Sequence, residues 1–65
     1  METISLTIPN MKSPHCQMTV TNVVKALGGN IKSVEPAKAT IELNDGLTRD
    51  AVIRAIEQAG YKVNN

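Results

Sequence analysis

Two rhythms of apolar residues divide this chain and restrict its fold more than any single motif does. Over residues 3–8 the side chains alternate, with Ile4, Leu6 and Ile8 on one side and Thr3, Ser5 and Thr7 on the other, as in a half-buried strand rich in β-branched residues. Pro9 and Asn10 end it. The rhythm then lengthens: Cys16, Val20, Val23, Val24 and Leu27 fall at helical spacing, and Gly28-Gly29 stops the stripe. Residues 31–35 and 39–43 flank Pro36-Ala37-Lys38 as a hairpin, with Ile41 and Leu43 sharing a face opposite Thr40 and Glu42. Asn44-Asp45-Gly46 predicts a turn, and Thr48 a helix cap with Asp50 in the favourable first turn. Val52, Ala55, Ile56 and Ala59 form a second helical stripe that ends at Gly60, and residues 61–63 predict a short last strand.

The resulting order is β-α-β-β-α-β. It specifies an α+β domain in which a four-stranded antiparallel sheet carries two helices on one face. Residues 1–65 make a single domain with no linker, and a chain this short buries only about 60% of the surface its unfolded form exposes. With no Phe, no Trp and a single tyrosine, Tyr61, the core must be built from Ile, Val, Leu and Ala. Domains of this size often lean on a disulfide, a metal or a partner. One cysteine cannot close an internal disulfide, which leaves a metal or a dimer.

Seven Lys and Arg against six Asp and Glu, scattered without a block of one sign, give a formal net charge of +1. That is not the footprint of a nucleic-acid binder, and the sheet lacks the aromatic residues that RNA recognition on such a fold requires. No apolar run approaches the ~18 residues of a membrane span, and the start does not resemble a signal peptide. A cytoplasmic location is expected, consistent with an unpaired cysteine kept reduced.

The chemistry gathers at residues 11–17, which hold the only cysteine and the only histidine side by side. Ser13 followed by Pro14 signals a helix start, with Ser as N-cap and Pro at the first helical position. His15 and Cys16 then lie in the first turn, where unpaired N–H groups and the positive end of the helix dipole favour a thiolate. This arrangement points to a metal site or a reactive thiol. Adjacent helical residues stand about 100° apart, so His15 and Cys16 share one ion only if that turn is open.

Met11, the spacing from Ser13 to Cys16, the stripe that follows and the Ala59-Gly60-Tyr61 end of the second helix resemble the heavy-metal-associated domains of copper chaperones and metal-pumping P-type ATPases. The likeness spans nearly the whole chain. It implies a ferredoxin-like βαββαβ sandwich whose first loop carries Met-x-Cys-x-x-Cys, two thiolates gripping Cu(I). Met11 matches the motif's Met and Cys16 its second Cys, but Ser13 stands at the first Cys. A Ser hydroxyl is hard and stays protonated at neutral pH, so it does not replace a thiolate on a soft ion. The resemblance further implies that Met11 packs beneath the loop and that Tyr61 shields the site and offers its hydroxyl to a sulfur ligand. Met18 lies off the apolar stripe near the site, and Lys12 and Lys62 flank the same end as a mild positive rim.

The expected function is a soluble Cu(I) chaperone or buffer with Cys16 as main ligand, passing its ion by ligand exchange. Its second ligand is His15 or the Cys16 of another chain in a metal-bridged homodimer. A metal-transporting P-type ATPase or a similar metal-binding domain is the implied partner. Zn(II) is the second choice of ion, because nitrogen in place of sulfur moves a site away from Cu(I), though Zn(II) usually takes four ligands. A degenerate domain that binds proteins rather than metal is the alternative from another class. An enzyme is not expected: no third group orients Cys16 and His15 as nucleophile and base, and the Gly-rich phosphate loop with its arginine, found in acylphosphatases of this fold class, is missing.

Overall fold

The computed structural model describes residues 2–44 and 46–64. The elements are β1 (Glu2–Thr7), α1 (Pro14–Ala26), β2 (Asn30–Glu35), β3 (Lys38–Leu43) and α2 (Arg49–Gln58). They follow the expected order as far as α2. The strands form an antiparallel sheet ordered β1-β3-β2. Among the described residues no helix is long and apolar enough to cross a membrane. Asp45, in the predicted turn before α2, lies outside the described residues.

The expected fourth strand over 61–63 is not formed; what is described there is one antiparallel bridge between Asn64 and Thr7, on the edge of β1 away from β3. The reason lies in the end of α2. Gly60 adopts φ +101, its N–H bonds Glu57 O at 3.0 Å, and the Tyr61 N–H bonds Ile56 O at 3.3 Å. These are the two bonds of a Schellman motif, so the backbone of Tyr61 belongs to the helix cap. Among the described residues after α2, Asn64 pairs with β1, its N–H reaching Thr7 O at 2.8 Å.

Register explains the core. Ile4 faces Ile41 and Leu6 faces Ala39 across β1 and β3, and with Ile8 and Leu43 these side chains are buried beneath the helices. Val20 and Val24 of α1 and Val52 and Ile56 of α2 close the core from above. Ile31 and Val34 of β2 both pack against it although they are three positions apart. Strict alternation would put them on opposite faces; a bulge between Ile31 and Ser33 changes the parity. Two residues expected on the helical stripes are exposed. Leu27 is 38% exposed and Ala59 is exposed; each is the C-cap, one residue past the end of its helix at Ala26 and Gln58. Ile53, which the sequence pattern passed over, packs against the core in partial compensation.

The hairpin turn is one residue shorter than expected, since Lys38 already belongs to β3. Pro36 presets the first turn residue, and Ala37 takes φ 67, a left-handed conformation that a type II turn requires and that costs a non-glycine residue about 1–2 kcal/mol. Ala37 holds that shape through two backbone bonds to the loop after β1. Its N–H bonds Met11 O at 2.6 Å, and its carbonyl accepts from Ile8 N at 2.8 Å. Met11 is fully buried, and burying such a side chain contributes about 1.5–3 kcal/mol. The loop leading to α1 is therefore anchored from below by a side chain and from the side by the hairpin tip.

Two substitutions test this packing by chemical denaturation. Ala37→Gly relieves the left-handed strain and raises stability by about 0.5–1 kcal/mol after the entropy of the added glycine is offset. Gly29→Ala acts in the opposite direction. A Cβ there would stand 2.9 Å from Val24 Cγ1 and 3.0 Å from Leu47 Cδ2, and a β-branched helical side chain has little freedom to turn away. The expected loss is about 1–3 kcal/mol.

Candidate metal site at the start of helix one

The site is built by a helix cap. Ser13 has extended backbone angles, φ −95 and ψ 158, and its Oγ accepts from the Cys16 N–H at 3.2 Å. Pro14 occupies the first helical position, where its missing N–H costs nothing. The Gln17 N–H bonds Ser13 O at 3.0 Å, so the first turn is closed. Ser13 thus stands in the ordinary role of its residue type, and Cys16 falls at the third helical position with its own N–H already paired.

Cys16 is half-buried and packs partly against the core. Its thiol is held below the ordinary cysteine value, first by the Ser13 hydroxyl and then by the Tyr61 hydroxyl; partial burial works against them, and the Ser13 and Lys12 backbone adds a little in the same direction. Ser13 therefore acts on the cysteine twice: its Oγ accepts from the Cys16 backbone N–H, and its hydroxyl favours the ionised form of the thiol. Tyr61 comes from the far end of the fold. The Schellman cap of α2 sets its backbone, and its hydroxyl lies beside both Cys16 and Thr19. Its own ionisation is pushed up by the neighbouring sulfur and by burial, with the Thr19 hydroxyl opposing. Hydrogen bonds that favour the ionised thiol and disfavour the ionised phenol place any negative charge of this pair on sulfur.

The remaining expected residues divide. Met11 has no exposed surface and supports the loop from within the core. Lys12 and Lys62 are exposed, beside Ser13 and Tyr61 in the chain. His15 is exposed while Cys16 turns inward, as two neighbours about 100° apart on a closed helical turn must. Among the described residues no three His, Cys, Asp or Glu side chains gather to hold a metal. Two contributors were missed from sequence. Thr19, whose Oγ1 donates to His15 O at 3.1 Å, carried a legible signal in its position three residues after Cys16; Ala37, which straps the loop, carried none.

Solved structures of metal chaperones share this shape. The chain is similar in structure to the CopZ metallochaperone, with a TM-score of 0.81 at 20% identity over 97% of this chain and 100% of that one. It is also similar to the copper chaperone Atx1 from Synechocystis PCC6803 in a trimeric form, with a TM-score of 0.77 at 28% identity over 94% and 98% of the two chains. A third likeness is to oxidized MerP from Ralstonia metallidurans CH34, TM-score 0.78 at 22% identity over 97% and 93%. No family model and no curated protein matches the sequence. The shared feature is a heavy-metal-associated-like fold over nearly the entire chain, and two of the proteins that share it are named as chaperones.

The thiol environment has a kinetic signature. Iodoacetamide reacts with the thiolate, so alkylation of Cys16 is expected to reach half its maximal rate at a lower pH than that of an unstructured cysteine peptide. Tyr61→Phe and Ser13→Ala each remove a hydrogen bond to the ionised sulfur and shift the profile upward in pH, Ser13→Ala by more. Ser13→Ala also removes the cap and costs about 1 kcal/mol of stability. Identical profiles for all three proteins would contradict this account of the site.

Proposed function

We propose that this domain carries or buffers Cu(I) in the cytoplasm, with Cys16 as its essential ligand and a second ligand supplied by another molecule. The observation that supports this most directly is the half-buried thiol at the capped start of α1, its ionised form favoured by Ser13 and Tyr61, on a fold shared with copper chaperones. A thiolate is the soft anionic donor that Cu(I) selects. Ser13 offers no such donor, so one chain presents one thiolate. The closed first turn makes His15 a poor companion for Cys16 on the same ion, and a ligand from outside is favoured. It comes from Cys16 of a second copy meeting head to head, or from a cysteine of a metal-binding partner such as a domain of a metal-transporting P-type ATPase.

A site completed by its partner suits transfer. The ion bridges two molecules, accepts a further sulfur from the acceptor, and the first Cys16–metal bond breaks as the new one strengthens. Protons compete for the same sulfur, so the apparent affinity rises with pH until the thiol is fully ionised. The lowered thiol moves that plateau toward neutrality. Zn(II) is served less well, since its usual four ligands exceed what one chain provides and require both His15 and Cys16 from each of two chains.

Anaerobic Cu(I) titration followed by native mass spectrometry tests the reading. The wild-type protein is expected to hold Cu(I) as a species of two chains, and Cys16→Ser to lose affinity by more than the ~10–100-fold typical of ligand-supporting groups. Equal affinity of the two proteins would reject Cys16 as the ligand. Ser13→Cys supplies a second thiolate in the same loop and is expected to convert the two-chain species into a single chain with one ion.

A further inference from the structure

The closed first turn also reassigns His15. Neighbouring residues on a helix do not face each other, whereas residues three apart do, with Cβ atoms about 5–6 Å apart. The companion of His15 on its own face is Met18. Met18 is 62% exposed, the most open of the large apolar side chains among the described residues, and His15 is exposed beside it. Long helical side chains lean back toward the N-terminus, the direction in which His15 lies from Met18. Among the described residues no hydrogen bond engages the imidazole, and only the His15 carbonyl is taken, by Thr19 Oγ1. The contrast with Met11 is instructive: the same residue type is wholly buried under the loop and wholly committed to packing.

We propose that His15 and Met18 form a second, weaker soft-metal site on the exposed face of α1, able to take Cu(I) through one imidazole nitrogen and one thioether sulfur. Both are ligand types that Cu(I) accepts and that hard divalent ions such as Mg²⁺ do not favour. Both are neutral, and the adjacent positive end of the helix dipole opposes a cation. This pair therefore holds the ion loosely, whereas Cys16 brings a negative charge of its own. A weak site within one turn of a strong one is a place where an incoming ion first rests before it reaches the thiolate. The inference rests on the proposed function for its choice of metal, but not for its ligands.

The test uses methyl and imidazole NMR during anaerobic Cu(I) titration of the Cys16→Ser protein. The expected result is that the Met18 methyl and the His15 ring resonances shift together along one saturable curve, while the buried Met11 methyl stays in place. Met18→Leu, which keeps volume and helix propensity, and His15→Gln in the same background each weaken that curve by about tenfold or more, the scale on which lost ligand-shell groups act. Absence of the joint shift overturns the proposal, as does a His15 titration that Met18→Leu leaves unchanged. The two readings fail differently: equal affinity of wild type and Cys16→Ser rejects Cys16 as principal ligand, and silent His15 and Met18 resonances reject the second site.

Discussion

The hydrogen bond from the Cys16 N–H to the Ser13 side chain organises this molecule. It starts α1 at Pro14, closes the first turn and fixes which way each residue of that turn faces. Cys16 is sent toward the core and Tyr61, and His15 toward solvent. The same serine occupies the place where the resemblance expects a thiolate, so a gain in helix capping is tied to the loss of a ligand. A helix N-terminus that lacks a cap leaves N–H groups unsatisfied, and Ser13 removes one of these while its proton supports the sulfur of the residue it caps.

Around that turn, the fold supplies rigidity without aromatic bulk. The core is aliphatic and spans the sheet and both helices. The loop before α1 is held from two directions, by the burial of Met11 and by the backbone bonds of Ala37. Both helices end in the same way, with Gly28 and Gly60 at positive φ and paired bonds returning to Val24 and Lys25 in one and to Ile56 and Glu57 in the other. The second of these caps has a consequence beyond its helix, because it delivers Tyr61 to Cys16. The site is thus made of four segments: the loop, the first turn of α1, the end of α2 and the hairpin tip that bonds to the loop.

On the proposed reading, a domain with one soft anionic donor depends on a partner to complete its site. Two thiolates on one chain would enclose a Cu(I) ion; one thiolate leaves the coordination open to whatever molecule arrives next. On the proposed reading, the exposed His15 and Met18 and the half-buried Cys16 divide the work by charge: neutral donors for a brief hold, the thiolate for a firm one. Resistance to stray binding then depends on the sulfur being only partly accessible.

Much of this was legible in the residues themselves. Local rules do not need the tertiary fold, so the period-two and helical patterns, the Ser13-Pro14 and Thr48 caps and the glycine stops determined five of the elements, the aliphatic core and the concentration of chemistry at residues 11–17. The tertiary structure alone decided the rest. The bulge that brings Ile31 and Val34 to one face, the strap from Ala37 and the reduction of the last strand to one bridge all depend on backbone bonds between segments distant in sequence. The neighbours of Cys16 divide along the same line. Ser13 acts on it from three residues away and could be read from spacing, whereas Tyr61 reaches it only because α2 packs beside α1, and no pattern along a chain records which hydroxyl will be folded against which sulfur.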